Sequence, residues 1–297
     1  MKRIIGIFNL KGGVGKTVST VSIASCLSQY FGKRVLVIDT DPSTDLTGFF
    51  MESIKRPRRE AFTNTLKDVL QGKCAAKEAI RKFTFYKIKG IKEFFTGMES
   101  EVQDESIDVI GPDMVPLRSC RIDFIPGDEE ILGLSKNEII KFGVLLNELD
   151  YDIILVDFSP EVLMNYTVFL LFGIKYLIIP AEATRSSIDG FSRILDLIRD
   201  AKEYAKTLGY NLQINILGLF FTRVQKSQSL PKEMIRQIRE AIEGSFVFKT
   251  VIYESSSANK CISYGIAPTI METSSQFVDN YKNLTREILR KTNSIEK

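Results

Sequence analysis

Short apolar runs recur along the chain, and most are separated by longer segments whose apolar residues have helical spacing. The runs cover residues 4–8, 34–38, 121–125, 152–156, 176–179 and 216–222. Strands that are buried on both faces are almost continuously apolar, and helices between them allow parallel pairing. The pattern therefore predicts an α/β fold: a doubly wound, mainly parallel sheet flanked by helices.

The helical segments are recognised by stripes of apolar residues and by residues that favour a helix end. The first runs from about Gly15 to Gly32, and glycine is a good residue for ending a helix. The other helices are predicted at residues 66–72, 138–149, 164–172, 188–208 and 231–243. A final helix is predicted from the apolar stripe of Val278, Tyr281, Leu284, Ile288 and Leu289. A long central stretch has no clean period. We therefore predict a single domain over residues 1–297 with an insertion around residues 83–120.

The composition is ordinary, with 44% hydrophobic and 26% charged residues and a net charge of +3, so it does not by itself indicate nucleic acid or membrane. No apolar run has the length of a membrane span, and the first residues lead into a strand rather than a signal peptide. Histidine is absent, which excludes His-based catalysis and most zinc sites. The widely spaced cysteines suit reduced thiols, so we expect a cytoplasmic protein.

A glycine-rich loop lies between the first strand and the first helix. Glycines let backbone N–H groups turn inward, and the helix start adds partial positive charge, so the loop is typical of a phosphate cradle. We expect Lys16 to reach the terminal phosphates and the Thr17 hydroxyl to bind Mg²⁺. The predicted phosphate-binding residues are Gly12, Gly13, Val14, Gly15, Lys16, Thr17 and Val18.

Three acids follow predicted strands, at the end of the sheet where nucleotides bind in such folds. Asp157 closes an apolar strand and suits a Walker B carboxylate that holds Mg²⁺. Asp39 is expected to support Mg²⁺ through its hydration shell, and Asp41 to orient the attacking water. An isolated acid at such a position is more often a turn former or a helix cap. Three of them beside a phosphate loop instead predict a site for Mg²⁺ and ATP.

The loop departs from the ordinary P-loop in two ways: Leu10 stands where the pattern has glycine, and Lys11 is an additional lysine. In this form it resembles the deviant Walker A box of the ParA/MinD superfamily of ATPases. The segment 39–42, Asp-Thr-Asp-Pro, resembles the A′ box of that superfamily, and segment 180–190 resembles the Pro-x-Glu segment and following helix of ParA/Soj partition proteins.

Two later segments resemble the nucleotide-base side of the same proteins. Thr222 and Arg223 match the end of the strand that reaches the adenine pocket. Pro268 lies in a segment, 265–270, that is similar to the late Gly-x-Pro-Ile segment of the family. The resemblance therefore adds these three residues to the expected cofactor-binding set.

The resemblance implies a weak ATPase that forms a sandwich homodimer on binding ATP. Lys11 would then reach the nucleotide of the partner, in the manner of an arginine finger, and act with Lys16 and Asp41 in hydrolysis. The family further implies non-specific DNA binding on the nucleoid and a ParB-like centromere-binding partner, in plasmid or chromosome partition. The candidate DNA contacts are Arg199, Lys282, Arg286 and Arg290, although such spacing is also typical of a solvated helix face.

Two segments depart from the family. Residues 43–45 are Ser-Thr-Asp in place of Gln-x-Asn, and residues 158–160 are Phe-Ser-Pro in place of a Pro-Pro turn. The phosphate and Mg²⁺ groups are retained, but the hydrolysis rate and the partner surface stay open. An alternative is a MinD-like or cargo-positioning ATPase switch at a membrane or a protein complex. The polar tail, residues 291–297, does not favour a membrane helix, so no membrane partner is expected.

Overall fold

A computed structural model describes residues 2–52, 64–88, 114–160, 173–256 and 276–296, together with residues 258, 267 and 269. Eight strands within this part of the chain form one sheet in the order β3-β4-β2-β5-β1-β6-β7-β8. They are β1 (Arg3–Ile7), β2 (Val35–Asp39), β3 (Arg81–Ile88), β4 (Met114–Ile125), β5 (Ile153–Asp157), β6 (Tyr176–Ala181), β7 (Asn215–Val224) and β8 (Val247–Tyr253). Among the strand pairs of the described residues, only β3–β4 is antiparallel, which confirms the mainly parallel sheet.

The helices among the described residues are α1 (Lys16–Phe31), α2 (Asp45–Glu52), α3 (Leu66–Leu70), α4 (Ala76–Ala79), α5 (Lys136–Glu148), α6 (Ser186–Thr207), α7 (Ser229–Ala241) and α8 (Gln276–Ile295). The helix ends follow local chemistry: Gly32 ends α1 at a φ of 60°, and Ser135 and Glu138 form a capping box at the start of α5. The helix predicted at residues 164–172 lies outside the described residues.

Two hydrophobic cores lie on opposite faces of the sheet. In β1, Ile4 belongs to one core and Ile5 to the other, because successive side chains of a strand point in opposite directions. Helices α5, α6 and α7 cover the first face, and α1, α2 and α8 cover the second. The double cover explains why the central strands are apolar throughout and confirms the doubly wound architecture.

The edges of the sheet are less visible in the sequence. Strand β8 was not predicted, because residues such as Lys249 are exposed at the edge and interrupt its apolar pattern. At the opposite edge, β4 begins at Met114, well before the strand predicted from residue 121, and β3 pairs with it. Both strands enter the stretch 83–120, so its two ends belong to the sheet; residues 89–113 lie outside the described part, and an insertion there stays a prediction.

Candidate functional site

The loop after β1 has the backbone of an anion cradle. Gly13 and Gly15 have φ angles of 74° and 85°, which side-chain-bearing residues rarely adopt. Apart from the adjacent residues of the loop, no atom of the described chain lies within 4 Å of where a Cβ would stand on Gly12 or Gly13, so the backbone is open on that side. Helix α1 begins without a side-chain cap or an acid in its first turn, which leaves its N–H groups and positive dipole end to an anion.

The loop forms one wall of a cavity of about 710 Å³, a volume suited to a nucleotide. The opposite walls come from the turns that follow β2 and β5 and from Leu132. The residues that line it are Gly12, Gly13, Gly15, Lys16, Thr17, Val18, Asp41, Pro42, Ser43, Asp45, Leu132, Ser159 and Pro160. Both segments that depart from the family, 43–45 and 158–160, therefore contribute to the cavity wall.

Lys16 lies in this cavity with only 7% of its surface exposed. Its Nζ is 3.4 Å from the carbonyl oxygen of Lys11, a long contact for an ammonium donor. Burial lowers the pKa of Lys16, while the charges of Asp157 and Asp41 oppose that shift. A buried ammonium with so weak a direct partner is well placed to bind a phosphate.

Asp157, at the end of β5, accepts hydrogen bonds from Thr17 (2.8 Å) and Thr20 (3.0 Å). Its carboxylate is buried, and burial together with the nearby charge of Asp39 raises its pKa. Two neighbouring buried acids carry a charge that a divalent cation would offset, and the Thr17 hydroxyl is in contact with one of them. The described residues contain no group of three or more His, Cys, Asp or Glu side chains that could hold a metal ion.

Asp39 is also buried, but its carboxylate is engaged by the protein. One oxygen accepts from the Asp41 N–H (3.1 Å), and the other accepts from the N–H (2.9 Å) and the hydroxyl (2.6 Å) of Thr47. Burial raises the pKa of Asp39 to about 6 despite these bonds. Asp41 lines the nucleotide-sized cavity whereas Asp39 lies behind it. The Asp41 side chain is therefore placed to contact a bound ligand, whereas the Asp39 carboxylate holds the backbone of the segment that carries Asp41.

Lys11 points away from the cavity just described. Its Nζ forms an ion pair of 2.6 Å with Glu182, and half of its side chain (52%) is exposed. Asn9 shapes this part of the loop, since its side chain accepts from the Lys11 N–H (2.9 Å) and donates to the Pro180 carbonyl (2.7 Å). Lys11, Asn9 and Val14 line a second cavity of about 400 Å³ beside the start of α6.

The end of β7 contacts the other side of the glycine loop. The Thr222 hydroxyl donates to the Val14 carbonyl (2.8 Å), and Arg223 donates to the Gly13 carbonyl (3.0 Å) from a positive φ of 55°. Both residues line a small cavity of about 140 Å³ with Val18 and Tyr281, next to the phosphate loop. Thr222 and Arg223 are the two residues that the sequence predicts beside the adenine base. Pro268 lies outside the described residues.

The four predicted DNA contacts do not lie together. Arg199 is on α6 and the other three are on α8, and these helices cover opposite faces of the sheet. Arg199 is 64% exposed and ion-paired with Asp196 (2.9 Å) and Asp200 (3.8 Å). Lys282 lies over the Tyr30 ring at 4.2 Å, Arg286 donates to Asn283 and Arg290 is exposed. One flat surface of a single chain therefore cannot include all four.

Several residues of this region were missed as site residues by sequence reasoning. Thr20 lies one helical turn after the loop and needed the helix to bring it to Asp157. Thr47 and Leu132 reach the site from elements far apart in the chain. Glu182 did carry a signal, since it is an acid directly after the apolar strand β6 and belongs to the segment that resembles Pro-x-Glu.

The chain is similar to known proteins over most of its length. The family model AAA_31, an AAA domain, matches residues 2–214. The sporulation initiation inhibitor protein Soj of Bacillus subtilis is 25% identical over 289 residues, covering 97% of this chain and 98% of Soj. A plasmid partition protein of Borrelia burgdorferi bound to AMPPNP has a TM-score of 0.67 at 21% identity, with 98% of this chain and 100% of that one covered.

The septum site-determining protein MinD of Pyrococcus horikoshii, solved with Mg-ADP, has a TM-score of 0.65 at 18% identity and covers 97% of this chain and 96% of its own. At such identities the solved structures show the common fold, while the family match spans the whole glycine loop and all three strand-end acids. The chain therefore belongs to the AAA_31 family of AAA domains, and its sequence is similar to those of the Soj and ParA chromosome-partitioning proteins.

Proposed function

We propose that this protein is a Mg²⁺-dependent partition ATPase whose ATP-bound copies pair, bind DNA non-specifically and segregate plasmid or chromosome DNA with a centromere-binding, ParB-like partner. The observation that carries the proposal is the nucleotide-sized cavity in which the open glycine loop and buried Lys16 face Asp41, beside the Thr17–Asp157 pair. The cavity therefore offers groups suited to a phosphate, a divalent cation and an attacking water.

The proposed roles follow from the contacts. The N–H groups of residues 12–17 and the Lys16 ammonium bind the phosphates, while Thr17 and Asp157 hold Mg²⁺. When bound, the cation would neutralise negative charge on the phosphates. Asp41 accepts a hydrogen bond from water and orients it for attack on the terminal phosphorus. Thr222 and Arg223 border the base, and Pro268 is proposed to do so from its resemblance to the family.

The dimer and DNA parts of the proposal depend on Lys11 and Arg199. Lys11 leaves Glu182 and extends towards the nucleotide of a second copy, which makes pairing dependent on ATP. Arg199 neutralises a DNA phosphate once it exchanges its two aspartate partners for that phosphate. Because the α8 cations lie on the other sheet face, Lys282, Arg286 and Arg290 serve as additional contacts rather than as part of one surface with Arg199.

The test is retention of arbitrary double-stranded DNA at low salt with ATP and Mg²⁺, compared with ADP and with no nucleotide. We expect retention only with ATP and a steep fall as salt rises. Arg199→Ala should weaken retention. The matched control is Arg34→Ala: Arg34 is 57% exposed and pairs with two aspartates as Arg199 does, but it directly precedes β2 and is not on α6. Equal retention in all nucleotide states would contradict the proposal, and ATP-dependent binding to lipid vesicles without DNA retention would favour a MinD-like switch.

A further inference from the structure

A chain of buried hydrogen bonds joins two walls of the nucleotide cavity. The Thr47 hydroxyl donates to Asp39 (2.6 Å) and accepts from the Gly127 N–H (2.8 Å). Thr47 is 3% exposed and Asp39 is 1% exposed, so water cannot substitute for either bond. One hydroxyl thus connects the turn after β2 with the turn after β4, segments about eighty residues apart in the chain.

The two turns also touch directly. A Cβ on Gly127 would stand 3.0 Å from Cγ of Asp39, so the backbone at Gly127 packs against the carboxylate. Each turn carries a cavity-lining residue: Asp41 donates its N–H to Asp39, and Leu132 follows Gly127 within one short loop. The position of each wall therefore depends on the same buried carboxylate and hydroxyl.

We propose that Thr47 is a positioning residue for the reaction, and that Asp39 acts with it to set the distance between the Asp41 and Leu132 walls. Each Asp39 oxygen already accepts from Asp41 or Thr47, and Asp39 does not line the cavity. Both oxygens of Asp157 are bonded as well, but one of its donors is the hydroxyl of Thr17, a side chain that lines the cavity. Asp39 is therefore assigned to positioning, and Thr17 and Asp157 remain the cation-binding pair. The proposal rests on the proposed ATPase function.

The test compares Thr47→Val, which removes the hydroxyl and keeps the shape, with Thr47→Ser, which keeps both hydrogen bonds. For Thr47→Val we expect kcat of ATP turnover to fall about tenfold or more while the affinity for a fluorescent ADP analogue changes less than about threefold, because a misplaced wall affects the attacking geometry more than ground-state binding. Thr47→Ser should retain at least about a third of the turnover. Thr292→Val is the control, since Thr292 is buried and bonded to a backbone carbonyl on α8, far from the cavity.

Hydrogen–deuterium exchange without nucleotide tests, independently of activity, whether Thr47 connects the turns after β2 and β4. Thr47→Val should speed exchange in residues 41–47 and 126–132, and Thr292→Val should not. Unchanged exchange in those segments, a turnover within threefold of wild type, or an equal loss in Thr47→Ser would each overturn the proposal. If the wild type neither binds nor hydrolyses ATP, the proposed function fails, and the exchange data still decide whether Thr47 joins the two walls.

Discussion

Lys11 Nζ and Glu182 Oε2 lie 2.6 Å apart, and Arg223 approaches the other Glu182 oxygen at 3.8 Å. One carboxylate at the end of β6 thus faces cations from the glycine loop and from the end of β7. The lysine that distinguishes this loop from an ordinary P-loop is held at the rim by a partner of its own chain. Any role of Lys11 in a second copy therefore requires that this ion pair opens.

Lys11→Ala should leave ADP affinity within about threefold of wild type, because Lys11 does not line the nucleotide-sized cavity. It should nevertheless abolish ATP-driven pairing, measured as molar mass by light scattering with ATP and Mg²⁺. An undiminished dimer would remove Lys11 from the interface while leaving the nucleotide site intact.

Glu182→Gln should favour ATP-driven pairing at limiting ATP, since it removes the charge that holds Lys11 in its own chain. We expect a pairing midpoint at a severalfold lower ATP concentration, because exposed ion pairs are worth about 0.2–1 kcal/mol. The same light-scattering titration measures it. A midpoint at higher ATP would instead indicate that Glu182 binds Lys11 of the partner.

Lys16→Ala should reduce the affinity for ADP and ATP by about a hundredfold or more, because buried charge-assisted contacts to phosphate are strong. The measurement is titration calorimetry, and the control is Lys206→Ala, at an exposed position of α6. Retained nucleotide affinity in Lys16→Ala would place the phosphates elsewhere.

Asp157→Asn should abolish the Mg²⁺ dependence of nucleotide affinity and yet not destabilise the protein in EDTA. Burial raises the pKa of Asp157, so its ionised form is disfavoured in the folded chain, and a neutral amide relieves that cost. Urea unfolding in EDTA and nucleotide titrations with and without Mg²⁺ measure the two effects. A clear loss of stability in EDTA would show that the charge is needed by Thr17 and Thr20.

Gly218→Ala should lower the free energy of unfolding by roughly 2–4 kcal/mol, because strain at positive φ adds to a steric clash. Gly218 lies in β7 at a φ of 135°, and a Cβ there would stand 2.5 Å from the Phe246 carbonyl oxygen. Gly190→Ala is the control: Gly190 is inside α6 with open space around it, so alanine should stabilise slightly. Urea denaturation of both variants checks the difference.

Much of the central sheet was predictable because its strands are buried on both faces, as in β1, β2 and β5. The same rule failed at β8, an edge strand in which Lys249 is exposed, and at the start of β4, which precedes the apolar run that predicts this strand. The glycine loop was predictable for a different reason, since its geometry depends on residues adjacent in the chain, such as Gly13 and Gly15 with positive φ.

The sequence by itself determined the fold class, the phosphate loop and the presence of acids at the strand ends, because each depends on local pattern and on the common edge that parallel strands share. Only the tertiary structure decided what those groups face: Asp157 towards Thr17, Asp39 towards Thr47, and Lys11 towards Glu182. These pairs join segments distant in the chain, and their partners are selected by packing rather than by spacing. For that reason the tertiary structure separates Asp39, which ends β2 and is bonded to Thr47, from Asp41, which lines the cavity two residues later.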